Sequence, residues 1–274
     1  MIIALFPNEK KTQSFELAAQ IRTFLEDRKI TVVAEDEKAL SIGAQPISSI
    51  DPREIKFLIS MGGDGTILRL CHRYSHLDAG VLGINLGHLG FMADIPQDDI
   101  FASLTDLLQE AYTIDQRLMI ETGDLRAVND IVIHRAHNYS LIELALEIDD
   151  TYVNTFTADG IIIATPNGST AYSLAAGGPI LSPNLDALVI TPICAHTISN
   201  RPIVISPEKK IRVKYLSEYG PIDIRADGLN ALSLESGESL TIQRSMRTFK
   251  RVTLHRHEYF ATLRRKLAWS GKLR

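Results

Sequence analysis

One carboxylate among glycines carries the clearest chemical signal in the chain. Asp64 lies in Gly62-Gly63-Asp64-Gly65-Thr66, directly after the apolar run Phe57 to Ile59. Glycines at such a turn let backbone N–H groups come close to a ligand. A helix beginning near Thr66 aims its unpaired N–H groups and positive dipole end at the same point, which suits phosphate. An acid placed there repels phosphate unless a metal ion or a proton transfer needs it, so the residues favour phosphoryl chemistry over a plain strand-to-helix turn. Two familiar phosphate motifs are excluded. A P-loop has Lys before its Ser or Thr, whereas Thr66 follows Gly65 directly. The dinucleotide fingerprint started at Gly63 would need glycine where Leu68 stands.

The elements that must hold this turn follow from periodicity. Ile2 to Phe6 predict a first strand, and Ser14 to Arg28 a helix with Ala18, Ile21 and Leu25 on one stripe. Ile30 to Ala34 predict a second strand, and Glu35 to Glu54, with Gly43, Pro46 and Pro52, a loop. Phe57 to Ile59 read as a doubly buried central strand, followed by a helix through about His76 and a strand from Val81 to Asn85. Such a series predicts a parallel, doubly wound sheet. A second glycine-rich stretch, Gly83-Ile-Asn-Leu-Gly-His-Leu-Gly-Phe91, follows at the strand end where ligands collect. Asp98 to Tyr112 predict a helix with Ile100, Leu104, Leu107 and Ala111 inward.

From Arg117 short alternating runs replace the strand–helix alternation: Val128–His134, Leu141–Ile148, Tyr152–Phe156, Lys210–Leu216 and Ser239–Gln243, with Asp149-Asp150 as a hairpin tip. Ile161 to Ala164 predict a strand running into Thr165-Pro-Asn-Gly-Ser-Thr170, and Ala171 to Ala176 a helix stopped by Gly177-Gly178-Pro179. His257 to Trp269 predict a terminal helix with Phe260, Leu263 and Leu267 on one face. The fold class is α/β: a Rossmann-like parallel-sheet domain over 1–116, a β-rich nucleotide-binding domain over 117–250, and a C-terminal segment, 251–274.

At 274 residues and 45% hydrophobic content the chain can bury two modest cores. A net charge of -4 gives no reason to expect nucleic acid as a partner. Cys71 and Cys194 match no zinc or redox spacing and read as reduced packing residues. No segment has the length of a membrane span, and the N-terminal apolar run is too short for a signal peptide, so a soluble, cytoplasmic protein is expected.

With Gly62-Gly-Asp-Gly-Thr66 the chain resembles the NAD kinase family, and more loosely the diacylglycerol and sphingosine kinases. Gly83 to Phe91, Asn129-Asp130-Ile-Val132, Thr157 to Ser173 and Lys266-Leu-Ala-Trp269 match the NAD kinase pattern in order. The resemblance implies ATP-dependent phosphorylation of the adenosine 2′-hydroxyl of NAD, with Asp64 as general base and a divalent metal, Mg²⁺, on the phosphates. It implies nucleotide contacts from Gly63, Gly65, Thr66, Arg69 and Asn85. It further implies an acceptor held by Asn129, Asp130, Thr157, Asp159, Thr170, Ala171, Tyr172, Ser173 and Ala175. The terminal segment is implied to pack back on the first domain, and the assembly to be a homodimer or homotetramer. The chain departs from the family at Thr157, often Arg, near Ser140, often His or another polar group, and at Leu229, often Gln. These departures bear on how NAD and NADP are told apart.

Bare Asn129-Asp130 is also a common turn, and Asp64 could position Mg²⁺ rather than take a proton. Two rivals stay open: another small-molecule or lipid kinase built on the same glycine turn, and a non-catalytic NAD(P)-binding regulator. His134, His137, His255 and His257 have no spacing that would make a metal hydrolase.

Overall fold

The computed structural model describes residues 1–87, 89–136, 139–197, 200–256 and 258–269. His137 and His257 lie outside the described residues. Two compact units emerge: 1–116 with 250–274, and 117–249.

The first unit opens with β1 (Ile2–Pro7), α1 (Thr12–Glu26), β2 (Thr31–Ala34), α2 (Asp36–Ile42) and β3 (Gln45–Pro46). It continues with β4 (Ile55–Gly62), α3 (Asp64–Arg73), β5 (Gly80–Asn85), α4 (Ile100–Leu108) and β6 (Tyr112–Arg117). The second unit carries β7 (Ile120–Thr122), β8 (Leu125–Ala127), β9 (Asp130–His134), β10 (Ile142–Ile148), β11 (Thr151–Ala158) and β12 (Gly160–Ala164). After α5 (Tyr172–Ala175) come β13 (Leu188–Ile193), β14 (Ile203–Ile205), β15 (Ile211–Tyr215), β16 (Ile222–Ala226), β17 (Asn230–Leu234) and β18 (Ser239–Arg244). The chain then returns to the first unit with β19 (Phe249–Leu254) and α6 (Tyr259–Lys266).

The first sheet has the order β3-β2-β1-β4-β5-β19-β6. Pairings β1 to β2, β1 to β4, β4 to β5 and β5 to β19 are all parallel. The order reverses between β1 and β4, so the crevice beyond their carboxyl ends is the topological switch point. Asn8 leaves β1 there and Gly62 leaves β4. Ile3, Leu5, Phe57, Ile59, Met61, Leu82 and Ile84 form the buried sheet core, joined by Ile21 and Leu25 of α1 and by Leu104 of α4. Near-complete burial of β4 explains its continuous apolar run.

Two differences from the sequence reading are physical. The 35–54 stretch contains α2, whose two turns bury only Lys38, Ala39 and Ile42 before Gly43 ends it at φ +71°, too little for a periodic signal. The helix predicted over 98–112 stops at Leu108, and Tyr112 begins β6, because Glu110 turns the chain at φ +60°.

The second unit has two mainly antiparallel sheets, β11-β10-β15-β18-β7-β8 and β14-β13-β12-β9-β16-β17. Ile131, Ile133, Leu144, Leu146, Ile161, Ile163, Val213 and Ile224 meet in one core. Asp149 and Asp150, at φ +48° and +61°, turn β10 into β11. Cys194 is exposed at φ +47° and so does not pack inward. Among the described residues no helix is long and apolar enough to cross a membrane.

Candidate active site

Asp64 is the first residue of α3, and Gly63 before it offers no side-chain cap. Its carboxylate turns instead to the loop after β5. Oδ1 accepts from the backbone N–H groups of Met92 (3.0 Å) and Ala93 (2.9 Å), and Oδ2 from that of Phe91 (2.8 Å). A carboxylate has about four acceptor directions. Oδ1 uses two and Oδ2 one, which leaves an acceptor direction on Oδ2.

The glycines serve space rather than unusual torsion. Gly63 and Gly65 have no positive φ, and a Cβ at Gly63 would meet nothing within 4 Å. The backbone there is bare and open to an approaching group. Gly90 is different: a Cβ on it would sit 2.0 Å from Asp64 Oδ1. Only glycine lets the loop close on the acid.

Thr66 Oγ1 accepts from Asn8 Nδ2 at 3.2 Å and from Arg69 at 3.4 Å, tying the switch-point ends together. Arg69 is exposed. Asn85 is buried, donating to Ala93 O (3.1 Å) and accepting from Gly87 N (2.7 Å), so it staples the same loop. Arg251 of β19 bonds Asp94 at 2.6 Å, and Lys266 of α6 lies 4.5 Å from the Phe91 ring centroid. The chain's end thus braces the loop that holds Asp64. Of the predicted face on α6, Leu263 is buried whereas Phe260 is 64% exposed.

The second unit holds a cleft of about 460 Å³. Asn129, Asp130, Asp159, Ala171 and Tyr172 line it, together with Arg135, Arg225 and Asp227, which sequence reasoning had not singled out as site residues. Asp130 is 5% exposed, and among the described residues no hydrogen-bond donor meets its carboxylate. Burial first, and then the charge of Asp227, push its carboxyl up to about 7. Asp159 pairs with Arg135 at 3.0 Å and Arg225 with Asp223 at 3.0 Å.

Asn129 is clamped by the Thr165 to Thr170 turn. Thr165 N donates to Asn129 O (2.8 Å), Thr165 Oγ1 to Val128 O (2.6 Å), and Asn167 Nδ2 to Asn129 Oδ1 (2.6 Å). A Cβ at Gly168 would lie 2.1 Å from Asn129 O. These hydroxyls and amides shape the site from behind. Ser173 is likewise fully buried, sharing its hydroxyl with Thr191 Oγ1 at 2.9 Å, and Thr170 Oγ1 donates to Asn167 O. Ala175 is exposed, and Thr157 lies on β11 opposite Glu143; neither is among the cleft-lining residues.

A divalent metal fits only in company with its nucleotide. Among the described residues no group of three or more His, Cys, Asp or Glu could hold one. Mg²⁺ commonly keeps waters and binds through one or two carboxylates plus substrate phosphates, and Asp64 is the carboxylate at the glycine turn.

The model of the ATP-NAD kinase N-terminal domain matches residues 3–112, and that of the ATP-NAD kinase C-terminal domain matches 128–254. The chain belongs to the ATP-NAD kinase family. It is 55% identical to the NAD kinase of Protochlamydia amoebophila over the whole of both chains. It is 35% identical to that of Natranaerobius thermophilus over 97% of each. Two solved structures share the fold. Yeast NADH kinase complexed with NADH gives a TM-score of 0.87 at 23% identity, covering 100% of this chain and 89% of that one. The NAD kinase from Archaeoglobus fulgidus in complex with ATP gives 0.79 at 24% identity, covering 98% and 99%.

Proposed function

We infer that the chain transfers the γ-phosphoryl group of ATP to the 2′-hydroxyl of the adenosine ribose of NAD, giving NADP and ADP. The observation that carries this reading is Asp64: a carboxylate at the bare glycine turn, oriented by three amides, with one acceptor direction left on Oδ2. Oδ2 accepts the proton of the 2′-hydroxyl as that oxygen bonds to the γ-phosphorus and the bond to the β–γ bridging oxygen breaks. The bare amides at Gly63 and Gly65, the first turn of α3 with Thr66, and the Arg69 guanidinium favour phosphate oxygens. The same Oδ2 direction is also open to Mg²⁺, so in the alternative reading Asp64 would hold the metal that neutralises the phosphates and would not take the proton. Asn85 keeps the Asp64-holding loop closed.

Asp130, buried without a donor, suits the vicinal hydroxyls of a ribose, and Asn129 beside it suits a base or amide edge. Asp159, paired with Arg135, and the half-exposed ring of Tyr172 complete the grip on the acceptor. A homodimeric or homotetrameric assembly and a cytoplasmic location belong to the same reading; the resemblance supports both, and sedimentation of the purified chain tests the first.

The decisive assay supplies ATP, Mg²⁺ and NAD to the purified chain and follows NADP formation. Asp64→Asn is expected to lower turnover by about 10²- to 10⁴-fold while NAD affinity holds within a few fold. Unchanged turnover would refute the role of Asp64, and tight NAD binding without NADP formation by the wild type would favour a regulator.

A further inference from the structure

Among the described residues, two carboxylates each receive three consecutive backbone N–H groups. One is Asp64. The other is Asp227, which has no part in the mechanism above. Asp227 Oδ2 accepts from Val128 N at 2.9 Å, and Oδ1 accepts from Asn129 N at 2.7 Å and Asp130 N at 3.2 Å. Asp227 N in turn donates to Asp130 O at 3.0 Å. A segment nearly a hundred residues away is therefore pinned in both directions.

We propose that Asp227 is a positioning residue for the acceptor site: it fixes the backbone of Asn129 and Asp130 and couples their grip on a ribose diol to the charge it places beside Asp130. This rests on the reading of the cleft as the NAD site. The competing explanation is purely local. Asp227 and Gly228 have φ of +52° and +69°, and Leu229 N donates to Ala226 O. That is a type I′ hairpin turn, for which Asp-Gly is a favoured pair. But a turn preference alone would not aim both carboxylate oxygens at three amides of the bend that leads into β9, nor set them against an unpartnered buried acid.

The charge surroundings of Asp130 leave Asp227 as the acid that acts on it. Its neighbour strand β12 is Gly160-Ile-Ile-Ile-Ala164 and carries no charge. On β16 Arg225 is paired with Asp223, and Arg135 after β9 is paired with Asp159. His134 and Tyr172 are the remaining titratable groups lining the cleft. Burial is the first cause of the raised Asp130 carboxyl, and Asp227 is the one charge that adds to it. A ribose diol donates to a carboxylate, so binding should strengthen as Asp130 loses its proton.

Asp227→Asn separates the two explanations, because Asn-Gly is at least as good a type I′ pair and keeps the hairpin. An asparagine can direct Oδ1 to Asn129 and Asp130, but Nδ2 then faces the Val128 N–H, donor against donor. NAD binding to the full-length chain is measured by calorimetry without ATP from about pH 5.5 to about 8.5, spanning the Asp130 titration. Wild-type affinity should rise with pH and level off above neutrality. Asp227→Asn should bind about tenfold more weakly on the plateau, and its midpoint should move to lower pH, stopping short of an ordinary carboxylate because burial remains. Weaker binding with an unmoved midpoint, or an unchanged profile, would overturn the role of Asp227. Failure of the wild type to bind NAD at all would instead remove the acceptor reading beneath it. Should Asp227→Asn not fold, Asp227→Glu keeps the charge but lengthens the arm that reaches the three amides. NAD binding should weaken while the midpoint stays near that of the wild type, and unweakened binding would overturn the proposal.

Discussion

Gly90 is as tightly constrained as the acid it faces. Because a Cβ there would lie 2.0 Å from Asp64 Oδ1, Gly90→Ala must displace either the carboxylate or the loop that orients it. Turnover is expected to fall toward the level of Asp64→Asn, a loss of about 10²- to 10⁴-fold, with NAD affinity within a few fold; steady-state kinetics beside calorimetry checks both. Asp130 gives a second prediction, on stability. Its carboxyl is raised from 3.8 to about 7, so the folded state holds a proton that the unfolded state has released between those values. Stability from this group is therefore lost as pH rises from about 4 to about 7, at most roughly 4 kcal/mol. Asp130→Asn should gain stability over the ligand-free wild type above neutrality and little or none near pH 4, as urea unfolding at the two pH values would show. Asp64 and the Asn129-Asp130 pair were legible in the sequence because each lies in a contiguous motif. Asp227 was visible only as an acidic turn, since its partners are 97 to 99 residues away.

At the scale of elements, the loop after β5 connects the glycine turn to the end of the chain. It is stapled by Asn85, held by Asp64, tied through Asp94 to Arg251 and covered at Phe91 by Lys266 and Tyr259. Side chains of Arg251 and Asp94 are only 9% and 13% exposed. Removing one partner of such a pair leaves a buried charge and costs roughly 3–5 kcal/mol. Arg251→Met is thus expected to lower the unfolding free energy by about that amount and to speed hydrogen exchange at the amides of Phe91, Met92 and Ala93. Exchange unchanged at those amides would mean that β19 does not brace the Asp64 loop. The long periodic or strongly apolar elements of the first unit, β1, α1, β4 and β5, could be read with bounds a few residues out. Strands β7, β8, β13, β14, β16, β17 and β19 could not. They are three to six residues long, and β13 is buried throughout, so it shows no alternation. Their pairing is set by distant partners, as when β9 lies between β12 and β16.

Over the whole molecule the two units differ in how their chain is assembled, and that decides which can exist alone. The second unit is continuous, 117–249, and both of its sheets and their shared core come from that span. The first is discontinuous. Its sheet places β19 between β5 and β6, and Val252 and Leu254 sit in its core with Leu82 and Ile84. A fragment ending at 116 would leave the β5 edge unpaired, detach β6 and open the core where those two side chains belong, each loss worth about 2–5 kcal/mol against a typical stability of about 5–15. The fragment 117–249 is therefore expected to fold with a cooperative thermal transition and slow amide exchange, whereas 1–116 should show neither. Co-expressing 250–274 with 1–116 should restore both properties, because what is missing is a central strand and not merely length. A cooperative transition in 1–116 by itself would show that β19 is an addition to a sheet already complete, and would undo the claim that the chain's end completes the unit bearing Asp64.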